Sequence, residues 1–94
     1  MKIELNIDYF EEDDSIVALC SELQVSSFGD TLSEAEKNIK ETLELFLEGC
    51  EALGTLKEVL EESGFRKSND LWFHRKLIKT IKTTLQHEPE TAYA

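Results

Sequence analysis

The chain predicts a small α+β domain: an antiparallel three-stranded meander packed by one long helix, followed by a short helix and a fourth strand. Three observations lead there. Apolar residues alternate or cluster in three short stretches within the first 28 residues. The next stretch, GDTLSEAEKNIKETLELFLEG (Gly29 to Gly49), carries a helical period and helix-start chemistry. The 94 residues hold one domain, with 40% apolar and 32% charged residues as in ordinary globular chains.

From Lys2 to Phe10 the period is two: Ile3, Leu5, Ile7 and Tyr9 share one face, and Lys2, Glu4, Asn6 and Asp8 the other. This is the pattern of a half-buried strand. Four acids in a row, Glu11, Glu12, Asp13 and Asp14, would repel one another if buried and so mark an exposed turn. Ser15–Cys20 is apolar on both faces, a deeper strand. Ser21–Gln24 connects it to a short third strand, Val25–Phe28, which Gly29 ends.

Thr31 and Glu34 form a capping box, and Asp30 puts negative charge where the helix dipole favours it. Leu32, Ala35, Ile39, Leu43, Phe46 and Cys50 then recur every three or four residues, the apolar stripe of a helix lying on a sheet. Glu34, Glu41 and Glu48 make an acidic ridge, and Glu36–Lys40 and Lys40–Glu44 have the spacing of surface ion pairs. Gly49 has the character of a C-terminal stop. Thr55 and Glu58 repeat the capping grammar before Leu56, Val59 and Leu60; Gly64 suits a left-handed C′ position, with Phe65 folding back on Leu60. Arg66–Asp70 reads as a polar loop. Beyond it, Leu77, Ile81 and Leu85 recur every four residues, which fits helix or strand, while β-branched Ile78, Thr80, Thr83 and Thr84 tilt residues 76–86 toward strand. The final HEPETAYA is expected to fray.

The order of these features resembles the HicB-like antitoxin family, a small partial RNase H-like domain. Gly29, Thr31, Ser33, Glu34, Ala35, Asn38, Ile39, Glu41, Leu45, Leu47 and Glu48 carry the likeness, with Glu22-Leu23 ahead of them and Leu56–Phe65 and Trp72 after. It covers residues 2–73, the expected core; residues 74–94 would add a strand and tail to the same domain. The connector Cys20–Val25 lacks the prolines and glycine usual in the family, and no helix-turn-helix or ribbon-helix-helix follows Phe65. The resemblance implies a β-β-β-α core and a non-enzymatic protein-binding module. Such a module neutralises a small basic HicA-type toxin that cleaves mRNA, and often forms dimers or tetramers. The alternative is an orphan, homo-oligomeric member of the fold without a toxin.

Charge fits a basic partner better than nucleic acid. Up to Gly64 there are 17 acidic and 4 basic side chains, a net −13; from Phe65 onward 3 acidic and 6 basic give +3, and the whole chain is −10. Such a body repels phosphate backbones. The contacts expected for a partner are Glu11, Glu12, Asp13, Asp14, Glu22, Glu34, Glu41 and Glu48, with Leu45, an apolar residue off the helix's stripe. Leu45 is expected to be covered by the second helix, the tail or another subunit. Val17 and Leu19 pose the same question on the sheet.

Other chemistries are weaker. Asp8 and Glu36 would suit a Mg²⁺ pair of an active RNase H-like nuclease, but no third carboxylate converges with them; a solvated Asp8 and a Glu36–Lys40 pair explain both. The acidic turn lacks the alternate spacing of a Ca²⁺ loop. Cys20 and Cys50 read as buried free thiols, and His74 and His87 as surface residues. Arg66, Lys67, Arg75, Lys76, Lys79 and Lys82, with Trp72 and Phe73 as stacking aromatics, form a candidate nucleic-acid stripe or a match to the acidic body. No catalytic set, metal site or cofactor is expected. With no long apolar run and no signal-peptide layout at the N-terminus, the expected location is the cytoplasm.

Overall fold

A computed structural model describes residues 1–75 and 77–90. It has the α+β architecture expected, with the antiparallel meander in place. The elements are β1 (Lys2–Ile3), β2 (Asp8–Glu12), β3 (Ser15–Cys20), β4 (Val25–Gly29), α1 (Leu32–Ala52), α2 (Leu56–Glu62), β5 (Arg66–Ser68) and β6 (Leu71–Phe73). They form two sheets of three strands, ordered β2-β3-β4 and β1-β6-β5.

The expected first strand serves both sheets. Its start pairs parallel with β6, where the amides of Lys2 and Glu4 donate to the carbonyls of Asp70 and Trp72 at 2.9 Å. Its end pairs antiparallel with β3, from Asp8 opposite Leu19 to Glu12 opposite Ser15. The period of two holds between them: Ile3, Leu5 and Ile7 are half-buried and Glu4, Asn6 and Asp8 exposed. Tyr9 departs from it. It shares the helix-facing side with its partner Ala18, yet lies at the surface, because α1 packs mainly over β4 and β3.

α1 begins as its sequence dictates. Thr31 Oγ1 accepts from the Glu34 amide at 3.1 Å, and the Glu34 carboxylate accepts from the Asp30 amide at 2.8 Å. Ala35, Ile39, Leu43 and Cys50 are buried; Leu32, at the frayed end of the stripe, is half exposed. Gly29 makes the tight entry: a Cβ there would lie 2.5 Å from the Ala35 nitrogen.

The helix does not stop at Gly49. It runs on to Ala52 and ends at Gly54, whose φ of +71° permits a Schellman closure: Gly54 and Thr55 amides donate to Glu51 and Cys50 carbonyls. Gly49 lacks that conformation and is simply an exposed helical residue. α2 closes the same way at Gly64 (φ +93°), with Phe65 donating to the Leu60 carbonyl at 2.9 Å, as expected. Its start differs from expectation: Thr55 makes no side-chain cap, and its hydroxyl donates instead to the Cys50 carbonyl.

Arg66–Asp70 is not a plain loop. Arg66–Ser68 pairs with Leu71–Phe73 in a hairpin turned through Asn69, whose φ is +56°. The core joins both sheets and both helices through Ala18, Cys20, Ile39, Leu60, Phe65 and Trp72. The strand expected over residues 76–86 does not form over its described part: residues 77–90 carry no regular structure and are exposed, and among the described residues no neighbouring strand completes their backbone hydrogen bonds. Lys76 and residues 91–94 lie outside the described residues. Among the described residues, no helix is long and apolar enough to cross a membrane.

Candidate protein-binding surface

The β2-β3-β4 sheet has one covered and one open face. Register decides which side chains share the open one. Phe10 pairs with Val17, and Val17 with Phe28, so these three form a row across all three strands. Phe28 is 66% exposed and Phe10 48%. Asp8 and Glu12 flank Phe10 on the same face. Beside the row, a groove of about 590 Å³ runs from Glu12 and Asp13 over Val17 to Ser26 and Phe28. An apolar strip rimmed by carboxylates is therefore built into the pairing.

The acidic hairpin tip sits at one end of this strip. Glu11, Glu12, Asp13 and Asp14 are all exposed, and Asp13 takes φ +54° to make the turn. At the other side lies α1. Glu34, Asn38, Glu41, Leu45 and Glu48 are spaced alternately by four and three residues and so share one helix face. Asn38 anchors that face to the sheet by donating to the Phe28 carbonyl at 2.8 Å. Leu45 is 69% exposed, so among the described residues neither α2 nor the tail covers it.

Two of the expected contact residues are already engaged. Glu34 accepts from the Asp30 amide, one residue ahead of the Thr31 cap. Glu22 is turned inward, its side chain 4% exposed, accepting from the Asn6 backbone amide at 2.8 Å and the Asn6 side-chain amide at 3.3 Å. His74, expected at the surface, packs edge-on against Phe65 with ring centroids 5.3 Å apart. Its Nδ1 is buried with no hydrogen-bond partner among the described residues, 3.9 Å from the Glu22 carboxylate.

The remaining candidates are not brought together. Asp8 lies on the open sheet face, whereas Glu36 lines a groove on the helix side with Tyr9, so β2 separates the two carboxylates. Among the described residues, no three potential ligands cluster as a metal site would require. Neither Glu36–Lys40 nor Lys40–Glu44 approaches within ion-pair distance among the described residues; Lys57–Glu61, at 3.8 Å on α2, does. Trp72 is a core residue and cannot stack on a base, while Arg66, Lys67, Arg75, Lys79 and Lys82 are exposed and Lys76 is outside the described residues. Cys20 and Cys50 are buried and unpaired. Burial pushes the Cys20 thiol up, assisted by the charges of Glu22 and Asp8 and opposed by hydrogen bonds from the Leu23 and Glu22 backbone.

Sequence reasoning found the acids but missed Phe10 and Phe28 as a surface pair. Only the register shows that they meet on either side of Val17. No protein-family model, no curated protein and no solved structure matches this chain.

Proposed function

We propose that the chain is a HicB-like, antitoxin-type binding module that neutralises a small basic HicA-type mRNA-cleaving toxin by covering its active surface. The observation that carries this reading is the open Phe10–Val17–Phe28 row framed by Asp8, Glu12 and Asp13. Apolar anchors supply affinity and the surrounding acids select a basic partner. Glu41, Leu45 and Glu48 extend the surface along α1; Glu22 and Glu34 act behind it by fixing the backbone. The sequence resemblance, from Gly29 to Glu48 and Leu56 to Phe65, names the partner class.

Co-expression with a basic HicA-type open reading frame beside the gene tests this. The toxin should co-purify and cell growth should recover. Phe28→Asp should weaken capture at least tenfold, with the fold intact by circular dichroism. A neighbouring toxin that neither binds nor is neutralised overturns the reading. The alternative, a homo-oligomeric domain with no toxin, draws its support from the exposed apolar segment at residues 77–85.

A further inference from the structure

A second uncovered groove lies on the opposite side of the β2-β3-β4 sheet from the strip just described. Because α1 leans over β3 and β4, it leaves Ile3, Leu5, Ile7 and Tyr9 facing Leu43 and Leu47 across a cleft of about 480 Å³. The backbone along this cleft is also open. The amides of Lys2, Glu4 and Asn6 all donate toward β6 and Glu22. Alternation along an extended chain turns those of Leu5 and Ile7 the other way, and among the described residues these two amides have no acceptor. A free strand edge thus runs beside an apolar groove, the arrangement that takes up an added strand.

The same chain carries a segment suited to fill it. Residues 77–85, LIKTIKTTL, are rich in β-branched and apolar side chains and are exposed throughout; Ile78 is 94% exposed. From Arg75 to Leu85 there are four basic residues and no acidic one. Glu36 and Glu44 border the receiving groove, against a single Lys40. The arm starts beside the other edge of this segment: Arg75, Leu77 and Lys79 border Asn6 and Glu22, the side toward which the paired amides point. Its apolar side chains stay exposed along that path. The radius of gyration is 18.1 Å and the longest dimension 60 Å, against about 12 Å for the radius of a compact chain of this length.

We propose that two copies of the chain exchange these arms, residues 77–85 of each lying as an added strand along the Ile3–Tyr9 edge of the other. Reciprocity doubles the surface that one arm buries and pairs the basic arm with the acidic body twice. The exchange deepens the homo-oligomer reading and uses a different surface from the toxin strip, so either can fail alone.

Sedimentation equilibrium of the full chain tests it. The expected result is a dimer that Ile78→Asp with Ile81→Asp weakens by roughly a hundredfold in Kd, since each variant dimer carries the lesion in both arms. Those side chains are exposed in the single chain, so the helical circular-dichroism signal of the body should be unchanged. Mixing a chain carrying Ile81→Cys with one carrying Lys40→Cys should give an intermolecular disulfide. A chain that stays monomeric overturns both the exchange and self-association. A dimer that survives the arm substitutions, or a cross-link that forms only within a chain bearing both cysteines, overturns the exchange alone.

Discussion

Glu22 holds Asn6 twice, through the backbone amide at 2.8 Å and the side-chain amide at 3.3 Å. This clasp fixes the extended segment between the two sheets at its midpoint. Glu22→Ala leaves the Asn6 amide without its acceptor and should cost about 1–3 kcal/mol, read as a lower urea midpoint. Glu22→Gln keeps an acceptor and should cost less. Glu41→Gln, on the exposed face of α1, should be close to neutral.

Three glycines should respond to alanine with different sign or size. Gly49 is helical with open space around it, so Gly49→Ala should stabilise by about 0.5–1 kcal/mol. Gly54→Ala meets no neighbour but must adopt φ +71°, a cost of about 1–2 kcal/mol. Gly64→Ala adds a clash to the same conformational cost, because its Cβ would sit 2.8 Å from His74 Nε2, and it should be the most damaging. Thermal melts of the three variants check the order.

The two threonines at the helix starts separate in the same way. Thr31→Ala removes a real cap and should cost about 1 kcal/mol. Thr55→Ala removes only a 3.3 Å bond to the Cys50 carbonyl and should cost less. Denaturant midpoints of the pair give the comparison.

Alkaline pH should destabilise the fold through Cys20. Its thiol is raised above its ordinary value in the folded chain, chiefly by burial. The folded state therefore holds the proton that the unfolded state releases once pH passes the ordinary thiol value. The stabilisation is complete below that value and is lost as pH climbs through the raised one. Tyr9, raised by partial burial and then by Glu36, adds to the loss at higher pH. Urea midpoints at pH 7 and pH 10 should differ more for the natural chain than for Cys20→Ala.

What could be read in the sequence was what local chemistry decides. The Thr31–Glu34 box, the stripe from Ala35 to Cys50 and the closure at Gly64 all depend on neighbours within one or two turns. The features misread depend on distant partners. Nothing local reveals that Lys2–Phe10 serves two sheets, because Lys2 pairs with Leu71 and Asp8 with Leu19. Residues 77–85 have strand chemistry but, among the described residues, no strand beside them in the single chain. At the candidate surface, the exposed acids were evident from their run of charge. The Phe10–Val17–Phe28 row needed the register, and the inward turn of Glu22 needed Asn6 opposite it.

The parallel pairing of β1 with β6 also orders events in time. The hairpin of β2 and β3, the addition of β4 and the docking of α1 all join segments close in sequence. β1 can pair only when the far end of the body has been made and has turned back through Asn69. Until then Ile3 and Trp72 lack each other, and His74 cannot settle over Gly64 and Phe65. During synthesis every strand of the β2-β3-β4 sheet is therefore made before the strand that β1 pairs with exists.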